Sequence, residues 1–310
     1  MHGKMLKERM VKYGLFICAA FSIIVVFFII YYTFNQGKID IIKLLLTGYY
    51  SFDSTNSHVA FYAALTTFYV ASIATLLGTA VGLPCAIYMA EFSDMRFRNV
   101  TKTSIEVMDG FPSVVIGIVG WEILSNPQTS YSFTSYLDSI GMHGYQGCIL
   151  FMWLILLIMS FPVIATISED ALRAVPSELR EASLGIGATK WQTTKEVLLP
   201  VATPRILTAV LLALAAAMGE TVAIQFVCGG TIAPLLMASP FSLVSHPLLA
   251  SETLTIIVNN AYRSAMESGF IPVSTFAEAF ILFIIVGVVN IAARMFMASR
   301  SGSTSGGSDQ

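Results

Sequence analysis

The sequence predicts an all-α membrane protein with six transmembrane helices. Hydrophobic residues make up 55% of the 310 residues, charged residues only 12%, and the mean hydropathy is +0.74. A soluble globular protein carries about 25% charged residues, so the composition excludes that class. In addition, six apolar segments are each long enough to cross a hydrocarbon core of about 30 Å as a helix.

The first predicted span covers residues 13–34 and follows a basic tail at 1–12. A secretory signal peptide has a shorter apolar core and a small-residue cleavage site, and this segment shows neither, so we expect a retained helix. Residues 35–57 are polar and contain Gly, Asn, Ser and Asp, which predicts an external loop.

The second apolar segment, 59–90, would be about 45 Å long as a helix, more than the membrane requires, and we expect it to break near Gly82 and Pro84. The later elements are predicted in the following order: a charged turn at 91–102, a third span ending near Leu124, an outer loop at 125–146, a fourth span at 147–168, a polar loop at 169–204, a fifth span at 205–227, an outer segment at 228–271, a sixth span at 273–298 and a disordered tail at 299–310.

The distribution of basic residues predicts the orientation. If the N-terminus is cytoplasmic, only Lys38, Lys43 and Arg263 of the 17 Lys and Arg residues lie outside. By the positive-inside rule, both termini and the 169–204 loop face the cytosol. The sequence thus predicts a protein of the cell membrane, either a plasma membrane or an inner membrane.

Residues 181–200, called the signature loop below, form a polar and helix-favouring segment between two apolar spans. Ala182, Ser183 and Gly187 keep one face of a short helix thin, so that a partner protein can approach its backbone. The glycine permits a bend, and Pro200 is expected to end the second helical piece. A partner's binding cleft suits such a surface, and an ordinary connecting loop is the alternative.

The order Glu181-Ala182-Ser183, Gly187, nine residues and Val197-x-Leu199-Pro200 resembles the cytoplasmic loop of ABC-importer permeases, with Ser183 and Val197 as conservative departures. The resemblance implies a type I ABC importer fold with a MetI-like core at 59–298 and a coupling helix in the 169–204 loop. It also implies that an ATPase subunit is contacted by Glu181, Ala182, Ser183, Gly187, Leu199 and Pro200.

Glu220 is an acidic residue inside the predicted fifth span. Counted from Arg205 at 1.5 Å per residue, it lies about 22 Å from the inner boundary. A charge at that depth costs about 2.5–3.5 kcal/mol unless it faces protein or water. We expect it to act on a transport path with Thr221 and Gln225, and a buried acid used for packing is the alternative.

Pro112, Ser113, Gly117 and Gly120 open the third span. Proline removes a backbone hydrogen bond, and the small residues thin one face. Irregular backbone is tolerated at membrane depth where it lines a cavity, and its amides with the Ser113 hydroxyl suit an oxyanion. Helix packing alone is the alternative reading. Salt bridges are expected between two acids and three bases near the inner end: Glu106 and Asp109 with Arg96, Arg98 and Lys102.

The Pro112-Ser113-Val-Val-x-Gly117 and Gly219-Glu220-Thr221 motifs resemble those of phosphate-specific ABC transporter permeases of the PstC/PstA type. The Gly-Glu-Thr-Val-Ala continuation and Asn290-x-x-Ala293-Arg294 look closer to PstC. The resemblance covers about residues 60–298. It implies a heterodimer with a second, PstA-like permease, two ATP-binding subunits, an external phosphate-binding protein, and phosphate as cargo.

One position departs from that family pattern. Phosphate permeases of this type often carry Arg four residues before the Glu, where this chain has Ala216. Another small oxyanion, sulfate or molybdate, is therefore an alternative cargo. A membrane sensor or scaffold that reports binding-protein occupancy is an alternative from a different functional class.

The sequence indicates no chemistry of its own in this chain. It has no glycine-rich loop ending in Gly-Lys-Ser/Thr and no His/Cys cluster with metal-ligand spacing. We therefore expect no catalytic residues, no metal site, no cofactor and no nucleic-acid partner, with ATP and Mg²⁺ bound by the separate ATPase.

Overall fold

A computed structural model of the chain describes residues 2–47, 59–141, 148–228 and 273–301, together with the single residues 253, 256, 258 and 263. Apart from short turns these segments are helical, which confirms the predicted all-α class. The chain divides into two compact units: 1–58 with 260–284, and 59–259 with 285–310.

Four helices of the described part are long and apolar enough to cross a membrane, or five if a bent pair counts as one span. The four are Arg9–Ile39, Leu65–Phe92, Ile149–Arg173 and Lys190–Gly219, and the bent pair is Met95–Asp109 with Ser113–Ser125. The sixth predicted span coincides with the last helix, Val273–Ser301, which contains a shorter apolar stretch at Ala279–Val289. The chain is a multi-pass membrane protein.

The first unit contains helix α1 (His2–Thr47), which is longer than the predicted span. It includes the predicted tail 1–12 and the beginning of the predicted loop 35–57, whose remainder lies outside the described residues. Gly37 does not interrupt the helix. Its missing side chain instead allows α1 to pack closely against the last helix. A Cβ atom at Gly37 would lie 2.8 Å from the backbone nitrogen of Ala277 in the last helix.

The second unit is built around three long helices, α2 (Val59–Ile87), α6 (Ile149–Arg173) and α9 (Leu199–Gly219). Their shared core contains Val70, Ala74, Phe151, Met152, Ile155 and Met218. Glycines bring α2 close to α6, since a Cβ atom at Gly78 would lie 3.2 Å from Ser160 Cβ, and one at Gly82 would lie 3.2 Å from Ile164 Cγ2.

The break predicted near Gly82 and Pro84 is wrong, because α2 continues through both residues to Ile87. Gly82 serves the contact with α6, and proline is tolerated inside a membrane helix when neighbouring groups compensate for the lost hydrogen bond. The irregular backbone comes later, as a π-helical turn at Tyr88–Phe92.

Helix α3 (Met95–Asp109) contains most of the segment predicted as a charged turn. The predicted third span is not continuous, because α3 and α4 (Ser113–Gly120) meet at an angle of 89°. Gly110 and Pro112 lie at this corner, where Pro112 has no N–H to continue a helix. A π-helical turn, Trp121–Ser125, then follows α4.

The predicted outer loop 125–146 contains a short helix, α5 (Phe133–Ser139). Ser132 accepts a hydrogen bond from the backbone N–H of Ser135 at 3.1 Å and so caps this helix. Residues 142–147 of that loop lie outside the described part, as does most of the predicted outer segment 228–271. The predicted tail begins within the last helix, α11 (Val273–Ser301).

The polar loop folds into α7 (Ser177–Gly185), α8 (Lys190–Thr193) and a π-helical turn at Thr194–Leu198 that leads directly into α9. Pro200 therefore does not end a helix, contrary to the prediction. It lies in the first turn of α9, directly after the π-helical turn and inside the continuous helical stretch Lys190–Gly219, so the irregular backbone of that turn accommodates the N–H that proline lacks.

The predicted fifth span 205–227 is interrupted. Helix α9 ends at Gly219, and α10 (Val222–Val227) starts after Glu220 and Thr221. Glu220 has extended backbone angles, φ −70° and ψ 127°, so it lies at a break between two helices.

Candidate functional site

The bend of the signature loop is formed at Gly187, whose φ is +94°. The Gly187 N–H donates to the carbonyl of Leu184 at 3.0 Å, and the Ala188 N–H donates to the carbonyl of Ser183 at 3.2 Å. These two bonds form the Schellman motif that ends α7. Nothing lies within 4 Å of a Cβ atom built at Gly187, so glycine is required by the left-handed backbone rather than by space.

Helix α8 begins with a reciprocal pair of cap hydrogen bonds. The Gln192 N–H donates to Thr189 Oγ1 at 3.3 Å, and the Thr189 N–H donates to Gln192 Oε1 at 2.8 Å. This capping box fixes the direction of the chain after the bend. The Thr-x-x-Gln pattern was the available sequence signal, and the sequence analysis missed it.

Ser183 lies inside the loop rather than on its accessible face. Its hydroxyl is hydrogen-bonded to the Thr193 hydroxyl at 2.9 Å, and the two residues are 9% and 4% exposed. Of the predicted thin face, Ala182 is exposed, as is its neighbour Glu181. Ser183 therefore joins α7 to α8, and the expectation that its small side chain serves close approach of a partner is not what the geometry supports.

Large apolar side chains project from the outer surface of the signature loop. Ile186 is 88% exposed, Trp191 is 54% exposed and Leu184 is 45% exposed. A grouping of exposed apolar side chains in a polar segment is characteristic of a protein contact. These residues were not predicted as contacts from the sequence, although Ile186 and Trp191 stand out as large apolar side chains in the polar part of the loop.

The base of the loop is packed on the helical core. Leu199 is partly buried against a cluster formed by Leu172, Val175, Leu198, Ala202 and Ile206. Pro200 is exposed. The six residues predicted to couple to an ATPase therefore divide into an anchored set and an accessible set.

A buried acid, Glu169, joins α6 to α3. Its side chain is completely buried, and its carboxylate accepts hydrogen bonds from Arg98 Nε at 2.7 Å and from Lys102 Nζ at 2.8 Å. Lys102 also contacts Asp170 at 2.6 Å. Two cations, each donating a hydrogen bond, compensate for the desolvation of the Glu169 carboxylate, so this cluster fixes the crossing of the two helices.

The salt bridges predicted for Arg98 and Lys102 are therefore wrong in their partners. The expected acids, Glu106 and Asp109, are exposed residues of the same helix. The bases instead contact α6, because this helix passes beside α3 and presents Glu169. That partner lies 67 to 71 residues away along the chain and is invisible to local reasoning.

The Glu220 side chain caps the N-terminus of α10. Its Oε1 atom accepts a hydrogen bond from the backbone N–H of Ala223 at 3.0 Å. The Thr221 hydroxyl donates to the carbonyl of Gly219 at 3.3 Å, and the Gln225 N–H donates to the carbonyl of Thr221 at 3.2 Å. The break thus has its backbone groups bonded within the segment itself.

A cavity of about 140 Å³ lies beside this break. Glu220 and Asp109 both line it, with Ser160 and three alanines, Ala213, Ala216 and Ala217. Thr221 and Gln225 are half-buried but are not among the lining residues. The cavity therefore brings together two carboxylates from the breaks of two helices, and small residues provide its space.

The residues of the third span have different positions. Pro112 is exposed at the corner and Ser113 is half-buried at the start of α4. Gly117 is packed against α10, since a Cβ atom there would lie 2.6 Å from Phe226 Cδ2 and 3.0 Å from Ala223 Cα. At Gly117 the geometry supports the packing alternative. The missing side chain of this glycine allows α4 and α10, which each follow a break in a predicted span, to pack against each other.

The matching family model is the binding-protein-dependent transport system inner membrane component, over residues 82–301. The chain is 35% identical to the probable ABC transporter permease YqgH of Bacillus subtilis over 191 residues, which is 62% of this chain and 56% of that protein. It is 30% identical to the phosphate transport system permease PstA 1 of Mycobacterium tuberculosis over 242 residues, 77% of this chain and 71% of the relative.

PstC of Xylella fastidiosa, another phosphate transport system permease, is 28% identical over 250 residues, 76% of this chain and 74% of the relative. The identities to PstA 1 and PstC are similar, so they do not favour PstC.

Among solved structures, a bacterial alginate ABC transporter matches with a TM-score of 0.56 at 15% identity, over 96% of this chain and 97% of that one. An inward-facing MetNI methionine transporter matches with a TM-score of 0.55 at 18% identity, over 78% and 95%. At such identities the likeness supports the fold. The family model, however, covers more than two thirds of the chain. The chain therefore belongs to the inner membrane components of binding-protein-dependent transport systems, the permeases of ABC importers.

Proposed function

We propose that this chain is the permease of an ATP-driven importer for inorganic phosphate. The observation that supports phosphate as the cargo is the pair of carboxylates, Glu220 and Asp109, at the cavity between the helix breaks. Phosphate near neutral pH still carries a proton on an oxygen, and a carboxylate accepts that hydrogen bond. Sulfate is fully deprotonated near neutral pH and offers no such proton. Relatives named as phosphate permeases support the same cargo.

The signature loop is the proposed contact with a separate ATPase that binds ATP and Mg²⁺. Ile186 and Trp191 enter the ATPase surface, and Glu181 and Ala182 lie on the accessible side. Gly187 sets the angle of the bend, while Leu199 and Pro200 lie where the loop joins α9. A contact with the ATPase requires the loop to face the cytosol, and the distribution of basic residues supports both termini on the same side.

Transport proceeds by alternating access between two states biased by different ligands. Closure of the ATPase dimer on ATP displaces the loop and opens the permease pair outward, where an external binding protein delivers phosphate. Hydrolysis restores the inward-facing state and releases phosphate. The partner permease is a homologue of this chain, as the resemblance to phosphate permeases implies, and the wall that Ala216 lines is where its side chains can contribute to the cavity.

A second cargo is favoured by one observation. Ala216 lines the cavity one helical turn before Glu220, where an Arg would favour phosphate. Sulfate or molybdate import is the candidate that follows from it. A sensor or scaffold without net transport has no structural feature of its own in support.

The test is uptake of labelled phosphate by vesicles that contain this chain, its partner permease, the ATPase subunits and the binding protein. We expect uptake to require ATP and to be unaffected by excess sulfate or molybdate. Glu220→Gln removes the negative charge and replaces one of the two carboxylate acceptors by an NH₂ donor, and it is expected to reduce uptake at least about tenfold. The control Glu106→Gln neutralises an exposed acid of α3 and leaves uptake unchanged. Inhibition by sulfate or molybdate would favour the second cargo, and ATP consumption without flux would favour the sensor.

A further inference from the structure

Arg180, in α7, is bound by acceptors from outside its own helix. Its Nε and Nη2 atoms donate to Glu91 Oε1 at 3.2 and 2.8 Å. Nη2 also donates to the carbonyl of Leu172 at 2.7 Å, and Nη1 donates to the carbonyl of Val175 at 3.0 Å. The Arg180 and Glu91 side chains are 23% and 14% exposed, so this contact is largely shielded from solvent.

The acceptors belong to the ends of two membrane helices. Glu91 lies in the π-helical turn that follows α2, and Leu172 lies in the last turn of α6. The final four carbonyls of a helix have no partner within it and carry the negative end of the helix dipole, which favours a cation. One guanidinium group thus joins α7 to both α2 and α6.

Among the side-chain hydrogen bonds and ion pairs of the described residues, Arg180 provides one of two lateral links of α7. The other is the Ser183–Thr193 hydrogen bond, which leads through α8 into α9. Along the chain itself, α7 is joined to α6 through the turn at Pro176 and to α8 through the bend at Gly187. In the described part of the chain, no other side-chain hydrogen bond or ion pair joins α7 to the end of α2.

The geometry requires arginine rather than any cation. A guanidinium group holds its donors in a fixed planar fork, and here different nitrogens address Glu91, Leu172 and Val175. The ammonium group of lysine is a point charge on a flexible stem, so it can contact Glu91 without fixing the carbonyls. Arg180→Lys therefore separates the charge from the three-way link.

We propose that Arg180 is a positioning residue for energy coupling, which passes the displacement of α7 to the ends of α2 and α6. This inference rests on the proposed contact of the signature loop with the ATPase. The Arg180 side chain makes α7 move as one body with the ends of α2 and α6, so the ATPase stroke reaches α6, which lines the cavity, and α2, which is packed on α6. Loss of the link leaves ATP hydrolysis running with less transport per ATP.

The first test measures phosphate uptake and ATP hydrolysis together in proteoliposomes with the complete transporter. For Arg180→Gln we expect hydrolysis to continue while phosphate moved per ATP falls about tenfold, within the range of coupling free energies. Arg180→Lys is expected to be intermediate. Glu91→Gln also lowers the ratio, and the double variant is no worse than Arg180→Gln because both remove one link.

The matched control is Arg173→Gln, which removes the same charge near the end of α6. Its contact with Glu169 is long, 3.7 Å, and Arg173 is 42% exposed, so we expect an unchanged ratio. A proportional fall of uptake and hydrolysis in Arg180→Gln, as lost assembly would give, overturns the inference. So does an unchanged ratio in that variant.

The second test does not depend on the cargo. Spin labels at two exposed positions, Asp94→Cys and Glu178→Cys, report the distance between the end of α2 and α7, with the four native cysteines replaced by alanine. We expect the same distance with and without ATP in the otherwise unchanged protein, and a broadened, ATP-dependent distance with Arg180→Gln. An ATP-dependent distance before the Arg180 change would overturn the inference. Failure of phosphate uptake alone would overturn only the proposed cargo.

Discussion

The two ends of α9 are built differently. At the signature-loop end, side chains are tied across elements by short polar contacts, including Ser183–Thr193 and the Glu169 cluster between α3 and α6. At the other end, the backbone breaks at Glu220 beside a cavity walled by alanines. Rigid connections at the loop end allow a displacement to be transmitted along α9, and the free volume at the other end allows the backbone near Glu220 to move.

The difference also concerns charge. Glu169 is buried but surrounded by bases, which keeps it fixed. Glu220 and Asp109 face a common space, where a ligand or a partner chain can approach them. We therefore expect substitutions at the loop end to affect stability and coupling, and those at the cavity to affect transport.

The largest loss of stability is expected for Glu169→Ala. It leaves Arg98 and Lys102 without their shared carboxylate at a helix crossing, and breaking a buried pair costs about 3 kcal/mol. Thermal unfolding of the purified protein in detergent measures this loss. The neighbour Asp170 is 61% exposed, so Asp170→Asn is the control and should cost less than about 1 kcal/mol. Equal effects would mean that the buried cluster does not fix the crossing.

The next largest effect is expected at the contact of the broken helices. Gly117→Ala places a methyl group against the backbone of Ala223, which cannot yield, and overpacking of this kind costs about 1–3 kcal/mol. Gly120→Ala is the comparison, because its new methyl meets the end of the Ile155 side chain, which can rotate. The same unfolding assay is expected to rank the two in this order, and the reverse rank would contradict the α4–α10 packing.

A smaller loss is expected for the bend. Gly187→Ala forces a left-handed backbone on a residue with a Cβ atom and costs about 1–2 kcal/mol. Gly187→Asn is the control, since Asn adopts this conformation more readily and should cost less. A helix end that tolerates alanine as well as asparagine would show that the bend is not fixed by the Gly187 backbone.

The smallest effect on stability is expected for Ile186→Ser, because this side chain is 88% exposed. If the exposed side chain enters the ATPase surface, the variant loses binding of the ATPase subunits while its unfolding midpoint remains unchanged. Co-purification of the ATPase with the permease measures the binding, and Val201→Ser, exposed near the start of α9, is the control. Normal binding by the Ile186 variant would place the ATPase contact elsewhere.

The sequence was sufficient for the all-α class and for two places of irregular backbone. Glycine and proline mark the corner at Pro112 and the bend at Gly187, because local backbone energetics act there. The same residues misled where tertiary contacts decided, since Gly82 serves packing against α6 and Pro200 lies in a first turn.

Within the candidate site, the acid at Glu220 was visible because a charge stands out in an apolar segment. Its position at a helix break and its shared cavity with Asp109 depend on α3, α6 and α9 meeting, which one-dimensional reasoning does not supply. Arg180 with Glu91, and Glu169 with its two bases, escaped for the same reason, since their partners lie 67 to 89 residues apart.

The proposed transport mechanism requires that the cavity beside Glu220 opens alternately to the two sides of the membrane under control of the signature loop. The most direct measurement labels Ala216→Cys, in an otherwise cysteine-free chain, with an impermeant thiol reagent applied to either face of vesicles that contain the complete transporter. We predict that the accessible face changes when ATP and the loaded binding protein are added, and that Gly187→Arg abolishes the change. Labelling from one and the same face in both states would contradict the account.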